Sequence, residues 1–102
     1  MIEFKYIVRK TDVFETWVKK LRDRQATTHI YDRIVRIYQG NFGDHKYLGG
    51  GISELKIHYG PGYRLYYTER NGLIVVLLAG GDKSTQERDI VKAKQLAKEW
   101  KE

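Results

Sequence analysis

Residues 54–79 read ELKIHYGPGYRLYYTERNGLIVVLLA, and this stretch decides the fold. Its first six residues alternate polar and apolar side chains, which is typical of a β-strand with one buried face. Gly60-Pro61-Gly62 is a turn sequence, and a return strand is expected over residues 63–69. Asn71-Gly72 favours a type I′ hairpin turn, because both residue types tolerate a positive φ. The apolar run over residues 73–79 then predicts a central strand that is covered on both faces.

Upstream of this stretch, the sequence predicts one strand and two helices. The strand is expected at the N-terminus, where apolar residues alternate with polar ones at Ile2, Phe4, Tyr6 and Val8. Asp12 and Glu15 resemble a capping box, which predicts the start of the first helix. The second helix is expected over residues 25–38, with Gly40 as its natural stop and with one apolar face made of Ala26, Ile30, Ile34 and Ile37. Residues 40–51 contain five glycines, which predicts a loop.

Downstream, a last helix is expected after the glycines at positions 80 and 81 break the strand pattern. Ser84 and Glu87 have the spacing of a capping box. The apolar stripe of this helix consists of Ile90, Ala93, Ala97 and Trp100. The predicted element order is β-α-α-β-β-β-α, which describes a single α+β domain over residues 1–102, with a mainly antiparallel sheet and helices packed against it.

Length and composition restrict the function classes. A chain of 102 residues suffices for one small domain, and the lack of cysteine excludes disulfides and thiolate metal sites. Nineteen Lys and Arg against thirteen Asp and Glu give a formal charge of +6, which favours a polyanionic partner such as nucleic acid, an anionic membrane or an acidic protein. The N-terminus lacks the apolar stretch of a signal peptide, and no apolar run is long enough to cross a bilayer. We therefore expect a cytoplasmic protein without a membrane partner.

One face of the predicted sheet is expected to collect basic and aromatic side chains, because strand residues alternate between the two faces. This face comprises Glu54, Lys56 and His58 from one strand, Arg64 and Tyr66 from the return strand, and Lys83, which follows the buried strand. Lys and Arg pair with phosphate oxygens. RNA cleavage through the 2′-hydroxyl needs a base, an acid and cations around the phosphate. His58 suits proton transfer near neutral pH, and Glu54 or a lysine perturbed by neighbouring cations could do the same work.

Simpler interpretations of the same residues remain open. An exposed strand face with Glu, Lys and His is most often only solvated. Arg64 could be a structural cation that pairs with Glu54 across the hairpin. The spacing of His29, His45 and His58 does not predict a zinc site.

Three segments resemble a known family. They are Gly40-Asn41-Phe42-Gly43-Asp44, the stretch over residues 51–64, which ends in Gly62-Tyr63-Arg64, and the stretch over residues 80–86, GGDKSTQ. Together they resemble the addiction-module killer proteins, the HigB-type toxins of the RelE/ParE superfamily. The resemblance covers nearly the whole chain, and it agrees with the element order predicted above.

The resemblance implies a ribosome-dependent endoribonuclease that cuts mRNA in the A site without a metal or cofactor. It also implies a small cytoplasmic antitoxin, often a helix-turn-helix protein, through which alone the toxin reaches operator DNA. Carried over to this chain, the catalytic residues are Arg64, Lys56 and Lys83, with His58 on the same face. The expected RNA contacts are Lys56, Arg64, Lys83 and Tyr66.

The chain departs from the family at its C-terminus. RelE-type toxins often have a tyrosine in the region that matches residues 87–90, where this chain has none, and it ends in Lys101-Glu102 where YoeB-like toxins end in His-Tyr. The general base is therefore open. ParE relatives share the fold but inhibit DNA gyrase, so a gyrase inhibitor and a non-toxic module that binds nucleic acid or antitoxin remain alternatives to the RNase.

Overall fold

The computed structural model describes residues 4–101, which form five β-strands and three α-helices. In chain order these elements are β1 (Ile7–Lys10), α1 (Asp12–Lys20), α2 (Arg24–Tyr38), β2 (His45–Gly49), β3 (Ile52–Ile57), β4 (Tyr63–Arg70), β5 (Ile74–Gly81) and α3 (Gln86–Glu99), with a 3-10 turn over Lys83–Thr85 before α3. The predicted α+β class is confirmed.

The strands form one mixed sheet in the order β1-β5-β4-β3-β2. β1 runs parallel to β5, and the other three neighbouring pairs are antiparallel, as the sequence predicts for most of the sheet. Asn71 and Gly72 connect β4 to β5 with φ angles of 58° and 63°, so both adopt the positive φ that a type I′ turn requires. Tight turns on both sides of β4 place β3, β4 and β5 next to each other at the centre of the sheet.

The sheet has a helix layer on each face, and each layer buries its own apolar cluster. On one face, α1 and α2 cover Leu55, Leu65 and Leu77, and the predicted apolar face of α2 lies in this cluster. On the other face, α3 packs through Ala93 and Ala97 against Ile52, Tyr66, Val76 and Leu78. The central strand β5 is therefore covered on both faces, as predicted.

The first strand begins later than the alternating pattern predicts. Ile2 lies outside the described residues, and the strand starts at Ile7. Before that point, the N–H groups of Lys5 and Tyr6 donate to the carbonyl oxygen of Tyr38 at 2.7 and 3.3 Å. The backbone of these residues thus pairs with the end of α2 instead of with the sheet, which delays the start of β1.

The prediction of a loop over the glycine-rich residues 40–51 is wrong in part, because β2 lies inside it. β2 pairs antiparallel with β3, with His45 opposite Leu55 and Tyr47 opposite Ser53. Gly49, Gly50 and Gly51 all have positive φ and form the tight connection between the two strands. β2 is an edge strand whose first three residues are exposed, so no buried alternation marks it in the sequence.

Two predicted helix starts are displaced. Thr11, and not Asp12, caps α1, since its side chain accepts a hydrogen bond from the N–H of Phe14. Asp82 caps the turn before α3 in a capping box with Thr85, so the predicted box of Ser84 and Glu87 is wrong. Gly40 ends α2 as predicted, with a φ of 83°.

The glycines at the end of β5 do not break the strand as predicted. A Cβ on Gly80 would collide with the ring of Trp17, and one on Gly81 with the carboxylate of Asp89. Their missing side chains let α1 and α3 approach β5 closely from its two faces. Within residues 4–101, none of the helices has the length and apolarity needed to span a membrane.

Candidate active-site cleft

Four of the candidate site residues line one open cleft of about 230 Å³. Lys56 is the next-to-last residue of β3, and His58 directly follows that strand. Arg64 lies at the start of β4, and Lys83 follows β5. The register explains why they meet, because Lys56 is opposite Arg64, and Arg64 is opposite Gly81 on the other side. The predicted convergence of these side chains is thus present in the structure, although its role in RNA chemistry stays a prediction.

Arg64 forms a buried ion pair at the base of the cleft. Its Nε donates to Oε1 of Glu54 at 3.0 Å, and its Nη1 donates to the carbonyl oxygen of Gly62 at 2.9 Å. The side chains of Arg64 and Glu54 are only 10% and 2% exposed. The guanidinium is therefore held in one orientation while still lining the cleft.

Glu54 does not lie on a solvated face, contrary to the simpler interpretation of this strand. α3 covers it, and Nε2 of Gln86 donates to its Oε2 at 3.4 Å. Both carboxylate oxygens thus have hydrogen-bond donors inside the protein. Glu54 is not placed to act as a base on a ligand in the cleft.

Tyr66 is also buried, which contradicts its predicted role as an RNA contact. Its ring has no exposed surface and packs in the cluster under α3. Burial raises the pKa of its hydroxyl well above the usual range, and that oxygen has no hydrogen-bond partner among residues 4–101. A base could not stack on this ring without displacement of α3.

His58 pairs with a residue that the sequence did not single out as part of the site. Its Nε2 lies 2.5 Å from Oδ2 of Asp44, and the two side chains are 74% and 51% exposed. The hydrogen bond with His58 is the main cause that holds the pKa of Asp44 below its ordinary value of 3.8. Asp44 lies in the segment Gly40-Asn41-Phe42-Gly43-Asp44, but it reaches the site only because β2 pairs with β3.

Arg33 of α2 forms hydrogen bonds with the backbone on both sides of the Asp44–His58 contact. Its Nη1 donates to the carbonyl oxygen of Lys56 at 2.5 Å, and its Nη2 donates to that of Phe42 at 2.9 Å. One guanidinium thus joins β3 to the segment that precedes Asp44. These two hydrogen bonds hold the backbone two residues before Asp44 and two residues before His58.

The histidines do not share a site. His29 stacks on Tyr59 with ring centroids 4.5 Å apart, and Nδ1 of His45 lies 2.8 Å from the carbonyl oxygen of Gly43. Across residues 4–101 there is no group of three or more His, Cys, Asp or Glu side chains arranged to hold a metal ion.

Comparison with known proteins shows the family to which the chain belongs. No family model matches the chain. An uncharacterized protein of Haemophilus influenzae is 49% identical to it over 92 residues, which cover 90% of this chain and 93% of that protein. Identity at this level over nearly the full length of both chains means a shared fold. The chain therefore belongs to the same family as this Haemophilus influenzae protein.

Proposed function

We propose that the protein is the toxin of a type II toxin–antitoxin system, a ribosome-dependent endoribonuclease with the RelE-like topology. The observation that carries this proposal is the cleft in which Lys56, His58, Arg64 and Lys83 converge at the ends of three neighbouring strands. Side chains of this kind suit a phosphodiester, because they combine three basic groups that pair with phosphate oxygens and one imidazole that can accept or donate a proton.

The chemistry requires no cofactor. The 2′-oxygen of the RNA attacks the adjacent phosphorus, the P–O5′ bond breaks, and the products are a 2′,3′-cyclic phosphate and a 5′-hydroxyl. Negative charge grows on the phosphoryl oxygens in the transition state, where Lys56, Arg64 and Lys83 can stabilise it. The ion pair with Glu54 orients Arg64 in advance, so no reorganisation of that side chain is needed during the reaction.

The charge of the whole chain supports partners of the expected kinds. A formal charge of +6 attracts the polyanionic ribosome and mRNA, and it also attracts an acidic antitoxin. A helix-turn-helix antitoxin that covers the cleft or displaces α3 would switch off the enzyme and would provide the contact with operator DNA. We place the protein in the cytoplasm, where its substrate is.

The test is controlled expression without antitoxin. We expect growth and protein synthesis to stop, and primer extension to reveal mRNA cuts that disappear when translation is blocked. Lys83→Ala should abolish most of this cleavage, whereas Lys92→Ala, which removes an exposed lysine of α3 outside the cleft, should not. Growth arrest with intact mRNA and relaxed or broken DNA would contradict the proposal and point to a gyrase inhibitor.

One observation favours a different function, that of a non-enzymatic binding module. The ion pair between Arg64 and Glu54 gives the arginine a structural role that requires no substrate. In a module of this type, expression would be harmless, and purified protein would bind its partner without cutting RNA on translating ribosomes.

A further inference from the structure

The pair formed by Asp44 and His58 makes only a small contribution to stability. Both side chains are more than half exposed, and an exposed ion pair contributes little to the free energy of folding. The two residues nevertheless flank different strands, since Asp44 directly precedes β2 and His58 directly follows β3. Their contact therefore depends on the pairing of β2 with β3, and one of its two members, His58, lines the cleft.

The backbone holds Asp44 in place from several directions. Its carbonyl oxygen accepts a hydrogen bond from the N–H of Lys56 at 2.9 Å, which continues the β2–β3 ladder. Just before it, the side chain of Asn41 accepts from the N–H of Gly43 at 3.1 Å. A Cβ on Gly43 would collide with the guanidinium of Arg33. Because glycine has no Cβ, the segment that precedes Asp44 can approach α2 closely.

We propose, on the basis of the proposed nuclease function, that Asp44 is a positioning residue. It orients the imidazole of His58 and fixes its tautomer, so that His58 can act as the general base. When Nε2–H of the imidazole donates to Asp44, the neutral ring carries its free lone pair on Nδ1. Nδ1 then takes the proton of the attacking 2′-hydroxyl, and the carboxylate stabilises the imidazolium that forms. The leaving 5′-oxygen takes its proton from Lys83 or from water, so protons balance and no redox step occurs.

The surroundings of His58 agree with this role. Two other carboxylates lie near the site: Glu54 is buried and its two oxygens accept from Arg64 and Gln86, while Asp82, next to Lys83, accepts from the N–H and the hydroxyl of Ser84. Asp44 is in direct contact with His58, and the basic residues Lys56, Arg64 and Lys83 line the same cleft. Among the described residues of the cleft, His58 is thus the one that combines an exposed ring with a carboxylate partner.

The contact itself can be measured without any enzyme assay. Carbon NMR of the side-chain carboxyl groups should give a pKa for Asp44 below 3.8 in the wild type and a value nearer 3.8 in His58→Ala. Asp23 and Asp82 serve as internal controls, because their lowered pKa values come mainly from Tyr59 and Ser84. An unchanged Asp44 titration in His58→Ala would overturn the pairing.

The positioning role is tested by a double-mutant cycle on mRNA cleavage at saturating ribosomes. His58→Ala should reduce the single-turnover rate about a hundredfold, and Asp44→Asn should reduce it about tenfold with little effect on ribosome binding. The double variant should be no slower than His58→Ala, because Asp44 acts through His58. Asp32→Asn, an exposed aspartate of α2, is the matched control and should cut at the wild-type rate.

The outcomes separate this inference from the proposed function. If the wild type cuts mRNA and Asp44→Asn cuts equally fast, or if the two losses multiply in the double variant, Asp44 has no positioning role although the nuclease stands. If the wild type cuts no mRNA, the nuclease function fails, and the role of Asp44 fails with it.

Discussion

Arg64 and Glu54 form a diagonal ion pair across the β3–β4 hairpin, with 3.0 Å between Nε and Oε1 and almost no exposure of either side chain. Neither residue faces the other directly in the register, because Lys56 lies opposite Arg64, and Tyr66 lies opposite Glu54. The diagonal leaves Lys56 free to line the cleft. It also makes the arginine of the candidate site part of the buried structure.

This pair predicts a stability loss that accompanies any loss of activity. Arg64→Ala would leave the Glu54 carboxylate buried without its cation, which typically costs about 3–5 kcal/mol. Glu54→Ala should have a comparable cost, because it strands the guanidinium. Urea unfolding followed by circular dichroism measures both. Arg88→Ala removes an exposed arginine and should leave the unfolding midpoint unchanged, and a wild-type midpoint for Arg64→Ala would show that the pair contributes nothing.

Lys56 and Lys83 should behave differently from Arg64, because neither has a buried carboxylate partner in the described structure. Lys83→Ala removes an exposed side chain, so we expect a change in the free energy of unfolding within about 0.5 kcal/mol. Loss of one charge donor at the phosphate should still reduce mRNA cleavage about a hundredfold. Comparison of urea midpoints and cleavage rates for the two alanine variants would check this. A destabilised but fully active Lys83→Ala protein would contradict the assignment.

Gly81 should resist substitution because of Asp89. A methyl group at this position would collide with the carboxylate of Asp89 and with the hydroxyl of Thr85, which donates a hydrogen bond to that carboxylate. We expect Gly81→Ala to cost about 1–3 kcal/mol through overpacking. The same substitution made in an Asp89→Ala background should cost less, since the obstructing atom is gone. Equal costs in the two backgrounds, measured by thermal unfolding, would show that Asp89 is not the obstacle.

Acid should destabilise the protein through three aspartates with lowered pKa values. The main causes are the hydrogen bonds from Tyr59 to Asp23, from His58 to Asp44 and from Ser84 to Asp82. A carboxylate whose folded pKa lies below its unfolded value of 3.8 stabilises the protein above that pH, and the contribution is lost as the pH falls through the folded pKa. Urea midpoints should therefore decrease on acidification below about pH 4.

Asp82→Asn provides the matched comparison for that acid loss. It should show a smaller decrease in urea midpoint than the wild type over the same pH range, because one of the three titrating groups is missing. If both proteins lost stability equally between pH 5 and pH 3, Asp82 would not contribute to the linkage.

Much of the fold was predictable because its central elements carry strong local patterns. The apolar face of α2 and the Asn71-Gly72 turn are of this kind, since each depends on residues that are neighbours in the sequence. The convergence of Lys56, Arg64 and Lys83 followed from the pairing of consecutive strands. The RelE-like resemblance remains a prediction about function.

The features that could not be predicted from the sequence depend on contacts between residues that are distant in the chain. The pattern of β3 predicts that one face is polar, but not that α3 covers it and buries Glu54 and Tyr66. β2 carries no buried alternation, so neither this strand nor the approach of Asp44 to His58 could be derived from periodicity. The caps at Thr11 and Asp82 lie one and two residues before the predicted positions, Asp12 and Ser84. Several consecutive residues at each place have side chains that can cap a helix, so the local sequence does not decide among them.

The parallel pairing of β1 with β5 has a consequence for how the chain folds. The strands from β2 to β5 follow one another through tight turns, so they can pair locally as soon as each emerges from the ribosome. β1 is made first, yet Ile7 must wait for its partner Ile74, and closure of so long a loop costs entropy before any contact forms. We therefore expect docking of the N-terminal strand to be a late folding step. A nascent chain would carry β1 without its strand partner until β5 had been synthesised.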